Sequence, residues 1–197
     1  MYQYSSTDKQ ISIHTLTKAL KRLGDLLQKE NRRLELTCCG GIISLMYFQS
    51  RAMTQDVDAI FPANPANKQL LIKLIKQVGE EMDLAADEKS LWFNDSVSFF
   101  GLETTSNVII FQHPYLVLKA ASWEELLAHK VHASRHDKDI QDAVRLLKEI
   151  KDKEKEQIYE AVKKYAPFTP HIPESLLRKR FDGVWGMAFK KQPGISS

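Results

Sequence analysis

The chain has 197 residues, of which 43% are hydrophobic and 27% charged, and its formal net charge is +3. This composition is typical of a soluble globular protein with one domain, or one compact domain with a helical extension, and the small positive charge does not demand a nucleic-acid partner. The adjacent Cys38 and Cys39 exclude a disulfide framework, and the absence of a signal-peptide pattern or a long apolar run predicts a cytoplasmic protein with no membrane partner.

Helices and strands alternate through the first two thirds of the chain. Leucines at helical spacing predict a helix over 13–30, and LELTCC predicts a strand over 34–39 that ends at two glycines. The stretch GIISLMYFQ then predicts a short buried helix, DVDAIF a strand, and residues 67–82 an amphipathic helix. SLWFNDSVSFF is interpreted as a helix followed by a strand. NVIIF and LVLKA predict a strand pair around His113-Pro114.

Helices alone are predicted for the last third of the chain. Ser122 and Glu125 form a capping-box pattern at the start of WEELLAHKVHAS. Further helical stretches cover about 137–150, 152–164 and 174–188. The fold class is therefore α/β (α+β), a small mixed sheet flanked by helices. We divide the chain into an N-terminal helix packed on the core (1–33), a core (34–121) and a helical C-terminal part (122–197).

Two glycines follow the first predicted strand, and the next predicted strand, DVDAIF, begins with two aspartates one residue apart. In a strand, Asp56 and Asp58 point to the same face, about 6–7 Å apart along the chain, and they repel each other unless a cation lies between them. Mg²⁺ (or Mn²⁺) bridges carboxylates to phosphates, and Gly40-Gly41 at a helix start favours a bound phosphate. The pattern predicts a nucleoside triphosphate (NTP) and metal site. The alternative is that Asp56 caps a strand end and Asp58 is merely exposed.

This stretch resembles the signature of the nucleotidyltransferase superfamily with the polymerase-beta-like core. More narrowly, it is similar to the minimal bacterial nucleotidyltransferases grouped with the AbiEii-type toxins. Gly40 and Gly41 match the glycine motif, and Asp56 and Asp58 match the metal-binding pair. Thr54 matches the threonine or serine that often precedes the pair. The resemblance implies a nucleotidyltransferase-like core, with Gly40, Gly41 and Thr54 at the nucleotide.

A second block, LLAHKVHASRHDKDIQDAVRLL, resembles the downstream block of the same group, so that the resemblance spans about residues 34–147. It implies that Lys130 contacts the triphosphate and that Asp139 is a third carboxylate, which positions metal or accepts the acceptor's proton. The matching positions are Lys130, Ala133, Arg135, Lys138, Asp139 and Asp142.

The placement of Asp139 depends on whether the helix is continuous. In one helix over 122–147, Asp137 rather than Asp139 would share the face of Lys130. A break at 134–137 would instead let Lys130 and Asp139 serve one site. Both would then face the turn at Gly40-Gly41, called the glycine turn below. The family pattern favours the break.

Two departures from the superfamily pattern leave alternatives open. Ile42 stands where many members carry a serine, and neither NVIIF nor LVLKA supplies the third carboxylate that many members carry on a neighbouring strand. Either a helical carboxylate (Asp139, Asp137 or Asp142) supplies it, or the site is weakened.

The resemblance implies metal-dependent transfer of a nucleoside monophosphate (NMP) from an NTP to an acceptor hydroxyl. The toxin relatives add RNA as the acceptor and a cognate antitoxin as a protein partner. The departures favour an alternative, a catalytically degenerate nucleotide- or protein-binding module on the same fold. A third hypothesis is a zinc site formed by His129, His132 and His136, although no fourth ligand supports it.

Overall fold

The computed structural model describes residues 10–87, 90–102, 104–134, 137–167 and 171–189. These residues form two compact units. The first contains the described residues up to Phe99 together with Thr105–Ala121, and the second contains those of Phe100–Thr104 and those from Ser122 onward.

The first unit is built on a mixed sheet. Its strands are β1 (Ile11–Ser12), β2 (Leu34–Cys39), β3 (Met53–Thr54), β4 (Val57–Ala59), β5 (Ala86–Asp87), β6 (Ser90–Leu91), β7 (Phe93–Asn94), β8 (Thr105–His113) and β9 (Leu116–Ala121). Five of them form one sheet in the order β7-β4-β2-β9-β8, in which β2/β9 and β4/β7 are parallel and β2/β4 and β8/β9 are antiparallel. The predicted mixed α/β fold class is confirmed.

Two long helices flank this sheet, α1 (Ile13–Lys29) and α2 (Pro65–Glu81). Ser12 caps α1 by accepting a hydrogen bond from the Thr15 N–H at 3.2 Å. The leucine stripe that predicted α1 is buried: Leu16, Leu20, Leu23, Leu26 and Leu27. On the exposed side, Arg22 donates two hydrogen bonds to the Glu81 carboxylate, at 2.7 and 2.9 Å, which joins α1 to α2.

The segment after β2 is a short buried helix, as the sequence predicts. It covers 41–47, and Ile43–Tyr47 has π-helical geometry. The side chains of Ile42, Ile43 and Leu45 are buried, which fixes the segment against the unit's core. The π geometry is a local feature that apolar patterning does not predict.

The predicted order of elements in SLWFNDSVSFF is wrong. The short strands β6 and β7 come first, and a 3₁₀ helix over Ser96–Phe100 follows. Trp92 and Phe93 are fully buried, and the Trp92 indole N–H donates to the Ile75 carbonyl at 2.9 Å. The segment is extended because β7 pairs in parallel with β4, and the two aromatic side chains are buried there.

The second unit is helical. Its helices are α3 (Trp123–Ala133), α4 (Asp137–Glu149), α5 (Lys155–Tyr165) and α6 (Glu174–Phe189). Helix α3 packs against the other three, and the fully buried Phe181 of α6 stacks near Tyr159 of α5, with ring centroids 5.3 Å apart. Among the residues described, no helix is both long enough and apolar enough to cross a membrane.

Candidate functional site

Asp58 is the middle residue of β4 and Asp56 immediately precedes this strand, which has one buried face. Val57 and Ala59 are fully buried, whereas Asp56 and Asp58 are partly exposed, as strand alternation predicts. In the sheet, Asp58 pairs with Cys39 of β2 on one side. The carboxylates therefore belong to the open face of the strand, close to the chain segment that leads into the two glycines.

Gly40 brings the backbone directly against one of these carboxylates. Its φ of +72° lies in the left-handed region, which favours glycine. A Cβ added at Gly40 would lie 2.5 Å from Asp58 Oδ2, much closer than real contacts allow. The structure therefore brings Gly40 and Asp58 together.

Gly41 has a different neighbour. A Cβ at Gly41 would collide with the Thr54 hydroxyl oxygen, so this glycine allows Thr54 to pack against the turn. Thr54 is buried, and its hydroxyl donates to the Asp56 carbonyl at 3.0 Å. Thr54 thus joins the glycine turn to the backbone of Asp56, one of the two candidate metal ligands, and holds these two segments of the site together.

Arg51 is a site residue that the sequence analysis missed. Its Nη1 lies 3.9 Å from the position that a Cβ of Gly41 would occupy, so the guanidinium lies beside the glycine turn. Guanidinium groups bind phosphate oxygens through paired hydrogen bonds. A single arginine in a loop carries no spacing pattern, and only the folded chain places it here.

The strand next to the aspartates supplies an amide. Asn94 of β7 pairs directly with Asp58, and its Nδ2 donates to Asp56 Oδ2 at 3.0 Å. This is the neighbouring-strand position at which a further carboxylate would complete an acidic cluster. The sequence analysis missed it because β7 was not predicted as a strand.

Asp95, the next residue, has structural partners. Its carboxylate accepts hydrogen bonds from the Phe61 N–H at 3.1 Å and from Lys68 Nζ at 2.6 Å. Its side chain is only 15% exposed. These contacts join the end of β7 to the chain between β4 and α2, so Asp95 stabilises the fold and is unsuited to serve as a third metal carboxylate.

The donor set fits a magnesium ion that is shared with a substrate. Burial and, secondarily, the nearby Asp58 carboxylate raise the pKa of the Cys38 thiol. Among the residues that the structure describes, no group of three or more His, Cys, Asp or Glu side chains is placed to hold a metal. Mg²⁺ commonly takes only one or two protein carboxylates and completes its shell with water and phosphates. Asp56 and Asp58 meet that requirement.

The second sequence block lies in the helical unit, and its predicted helix break is confirmed. Helix α3 ends at Ala133 and α4 begins at Asp137. Ser134 closes α3 with a positive φ of 28°, and its N–H donates to the Lys130 carbonyl at 2.9 Å. The family match at Arg135 falls outside the described residues.

The break brings Lys130 and Asp139 together. Lys130 Nζ lies 2.9 Å from Asp139 Oδ1 and 3.1 Å from Asp142 Oδ2. The side chains of Lys130 and Asp139 are 20% and 19% exposed, whereas that of Asp142 is 3% exposed. Asp137, the alternative for an unbroken helix, is exposed. The common orientation of Lys130 and Asp139 toward the glycine turn stays a prediction, because the two blocks belong to different units.

The histidine hypothesis gains nothing from the structure. His132 is buried, and burial lowers the pKa of His129, an effect that the nearby Glu125 carboxylate opposes. The third histidine of the pattern, His136, lies outside the described residues. Within those residues, the arrangement is that of histidines packed inside a helical unit.

No protein-family model, curated protein or solved structure matches this chain.

Proposed function

We propose that the protein is a metal-dependent nucleotidyltransferase that transfers an NMP from an NTP to an acceptor hydroxyl. The observation that carries the proposal is the close approach of Gly40 to the Asp58 carboxylate, with Asp56 two residues before Asp58. The Asp56 and Asp58 carboxylates can hold a divalent cation, which balances the charge of a triphosphate. Backbone N–H groups at a glycine turn can donate hydrogen bonds to the phosphate oxygens.

In this proposal Asp56 and Asp58 hold Mg²⁺ (or Mn²⁺). When bound, the ion supplies the positive charge that offsets the triphosphate and the departing pyrophosphate. Arg51 lies beside the Gly41 side of the turn, where it can donate to phosphate oxygens. Thr54 holds the Asp56 backbone through its hydrogen bond to the Asp56 carbonyl.

Lys130 and Asp139 form the second part of the proposal. Lys130 Nζ and Asp139 Oδ1 lie 2.9 Å apart, so the two side chains share one location in the helical unit. In the proposal Lys130 binds the triphosphate tail, and Asp139 accepts the acceptor's proton or positions the metal. RNA as the acceptor and a cognate antitoxin as partner follow from the resemblance to the toxin group, and the chain's charge of +3 is compatible with both.

A second candidate function is a catalytically degenerate module that binds a nucleotide or a protein. Two observations favour it. The strand beside Asp58 presents the amide of Asn94, and Lys130 is already held by Asp139 and Asp142. Such a module would bind an NTP at the glycine turn without turning it over.

Incubation of the purified protein with each α-³²P-labelled NTP and total RNA separates the two. Nucleotidyl transfer predicts Mg²⁺-dependent label on RNA that EDTA abolishes and that Asp58→Asn removes. Asp83→Asn, the same change at an exposed aspartate after α2, serves as the matched control and should retain transfer. NTP binding without label transfer would support the degenerate nucleotide-binding module. The absence of both binding and transfer would contradict the transferase and the nucleotide-binding module, and would leave only a protein-binding module.

A further inference from the structure

We infer that Asn94 is the positioning residue of the Asp56 carboxylate and sets the number of negative charges at the cation site. The inference rests on the proposed function, because it assumes that Asp56 and Asp58 bind a divalent cation. Asn94 occupies the position on β7 directly beside Asp58, and its Nδ2 donates to Asp56 Oδ2 at 3.0 Å. Asn94 is therefore the strand partner of Asp58 and the side-chain hydrogen-bond partner of Asp56.

The orientation of the Asn94 amide is fixed chemically at both ends. A carboxylate oxygen of Asp56 only accepts, so the group facing it must be the NH₂. On the other end, the Asn94 carbonyl accepts from the Ser96 N–H at 2.9 Å and from the Ser96 hydroxyl. Because a backbone N–H only donates, exchange of the amide's oxygen and nitrogen would break the hydrogen bond to Asp56 and the one from the Ser96 N–H. The 3₁₀ helix that begins at Ser96 thus holds Asn94 in the orientation that Asp56 requires.

The neutrality of Asn94 has a direct electrostatic consequence. An aspartate at this position would leave three carboxylates side by side, which repel one another in the absence of a cation. The amide instead leaves two negative charges, the number that one divalent ion balances, and it orients Asp56 before the ion binds. Outer hydrogen-bond partners of metal ligands typically contribute about 10- to 100-fold to metal affinity.

Titration of the full-length protein with Mn²⁺, followed by calorimetry and by thermal unfolding, tests the inference. Asn94→Leu, of similar size but without a donor, should weaken Mn²⁺ binding roughly 10-fold or more. Asn94→Asp keeps an acceptor for Ser96 and adds a carboxylate, so it should unfold more easily without metal yet gain more thermal stability from Mn²⁺ than the wild type does. Asn107→Asp, the same substitution at an exposed position of β8 on the opposite edge of the sheet, should leave Mn²⁺ affinity unchanged.

A merely structural role predicts a different result. In that case both Asn94 variants would lower the unfolding temperature without changing Mn²⁺ affinity, which would overturn the inference. Wild-type protein that binds Mn²⁺ but transfers no nucleotide would refute the proposed function and leave the positioning role intact. If the wild-type protein transfers nucleotide while Asn94→Leu keeps full Mn²⁺ affinity, the positioning role is refuted and the proposed function is left intact. Failure of the wild type to bind Mn²⁺ would overturn both.

Discussion

Replacement of Gly40 by alanine probes the contact between the glycine turn and the aspartate pair. The substitution adds one methyl group, and two separate effects follow from the structure. The backbone φ of +72° disfavours any side chain, and the new Cβ would lie 2.5 Å from Asp58 Oδ2. We expect Gly40→Ala both to destabilise the first unit and to displace the Asp58 carboxylate, which should reduce cation binding and transfer.

The chain offers a control that separates these effects. Gly101 has nearly the same φ, +73°, but a Cβ there would meet no atom of the described residues within 4 Å, its two chain neighbours aside. A left-handed alanine costs about 1–2 kcal/mol relative to glycine, and both variants should show this loss. Forced overpacking adds about 1–3 kcal/mol, and only Gly40→Ala should show this second loss.

Urea unfolding of the two variants, and of Gly40→Ala combined with Asp58→Ala, measures the difference. Once the carboxylate is removed, the cost of Gly40→Ala should fall to that of Gly101→Ala. Equal costs for both single variants, together with unchanged Mg²⁺-dependent transfer in Gly40→Ala, would refute the contact between Gly40 and Asp58.

Three further predictions follow from the site. Asp58→Asn should abolish transfer while leaving the free energy of unfolding unchanged or slightly higher, because like-charge repulsion is relieved; retained activity would contradict the metal assignment. Arg51→Gln should raise the KM for NTP several-fold, whereas the control Arg32→Gln, at an exposed position, should not; equal KM values would exclude Arg51 from phosphate binding. Lys130→Ala should weaken NTP use. It should also lower the free energy of unfolding by about 1–3 kcal/mol, because the buried Asp142 carboxylate loses this cation. An unchanged free energy of unfolding in urea would show that the ion pair does not stabilise the fold.

The parts of the fold that local patterns determine were predictable. Leucine spacing located α1, and alternation in DVDAIF placed the two aspartates on the open face of β4. The break before α4 was predictable from the family block, because a continuous helix would have kept Lys130 and Asp139 on different faces.

The positions of Asn94 and Arg51 at the site could not be predicted, because they depend on contacts between segments that are separate in the sequence. Strand β7 has two residues, too few for a period-two pattern, and it is defined by its pairing with β4 and by the burial of Trp92 and Phe93. Asn94 therefore could not be associated with Asp56 from sequence spacing. Arg51 joins the site only because the chain between the short helix and β3 returns to the glycine turn.

In the proposed function, Asp56 and Asp58 bind a divalent cation together with an NTP at the glycine turn. Crystals grown with MnCl₂ and a non-hydrolysable NTP test it most directly, because Mn²⁺ scatters anomalously. We expect an anomalous peak about 2.0–2.3 Å from oxygens of both carboxylates, with the triphosphate against Gly40 and Gly41. Bound nucleotide elsewhere, or a triphosphate at the turn with no peak at the aspartates, would contradict it.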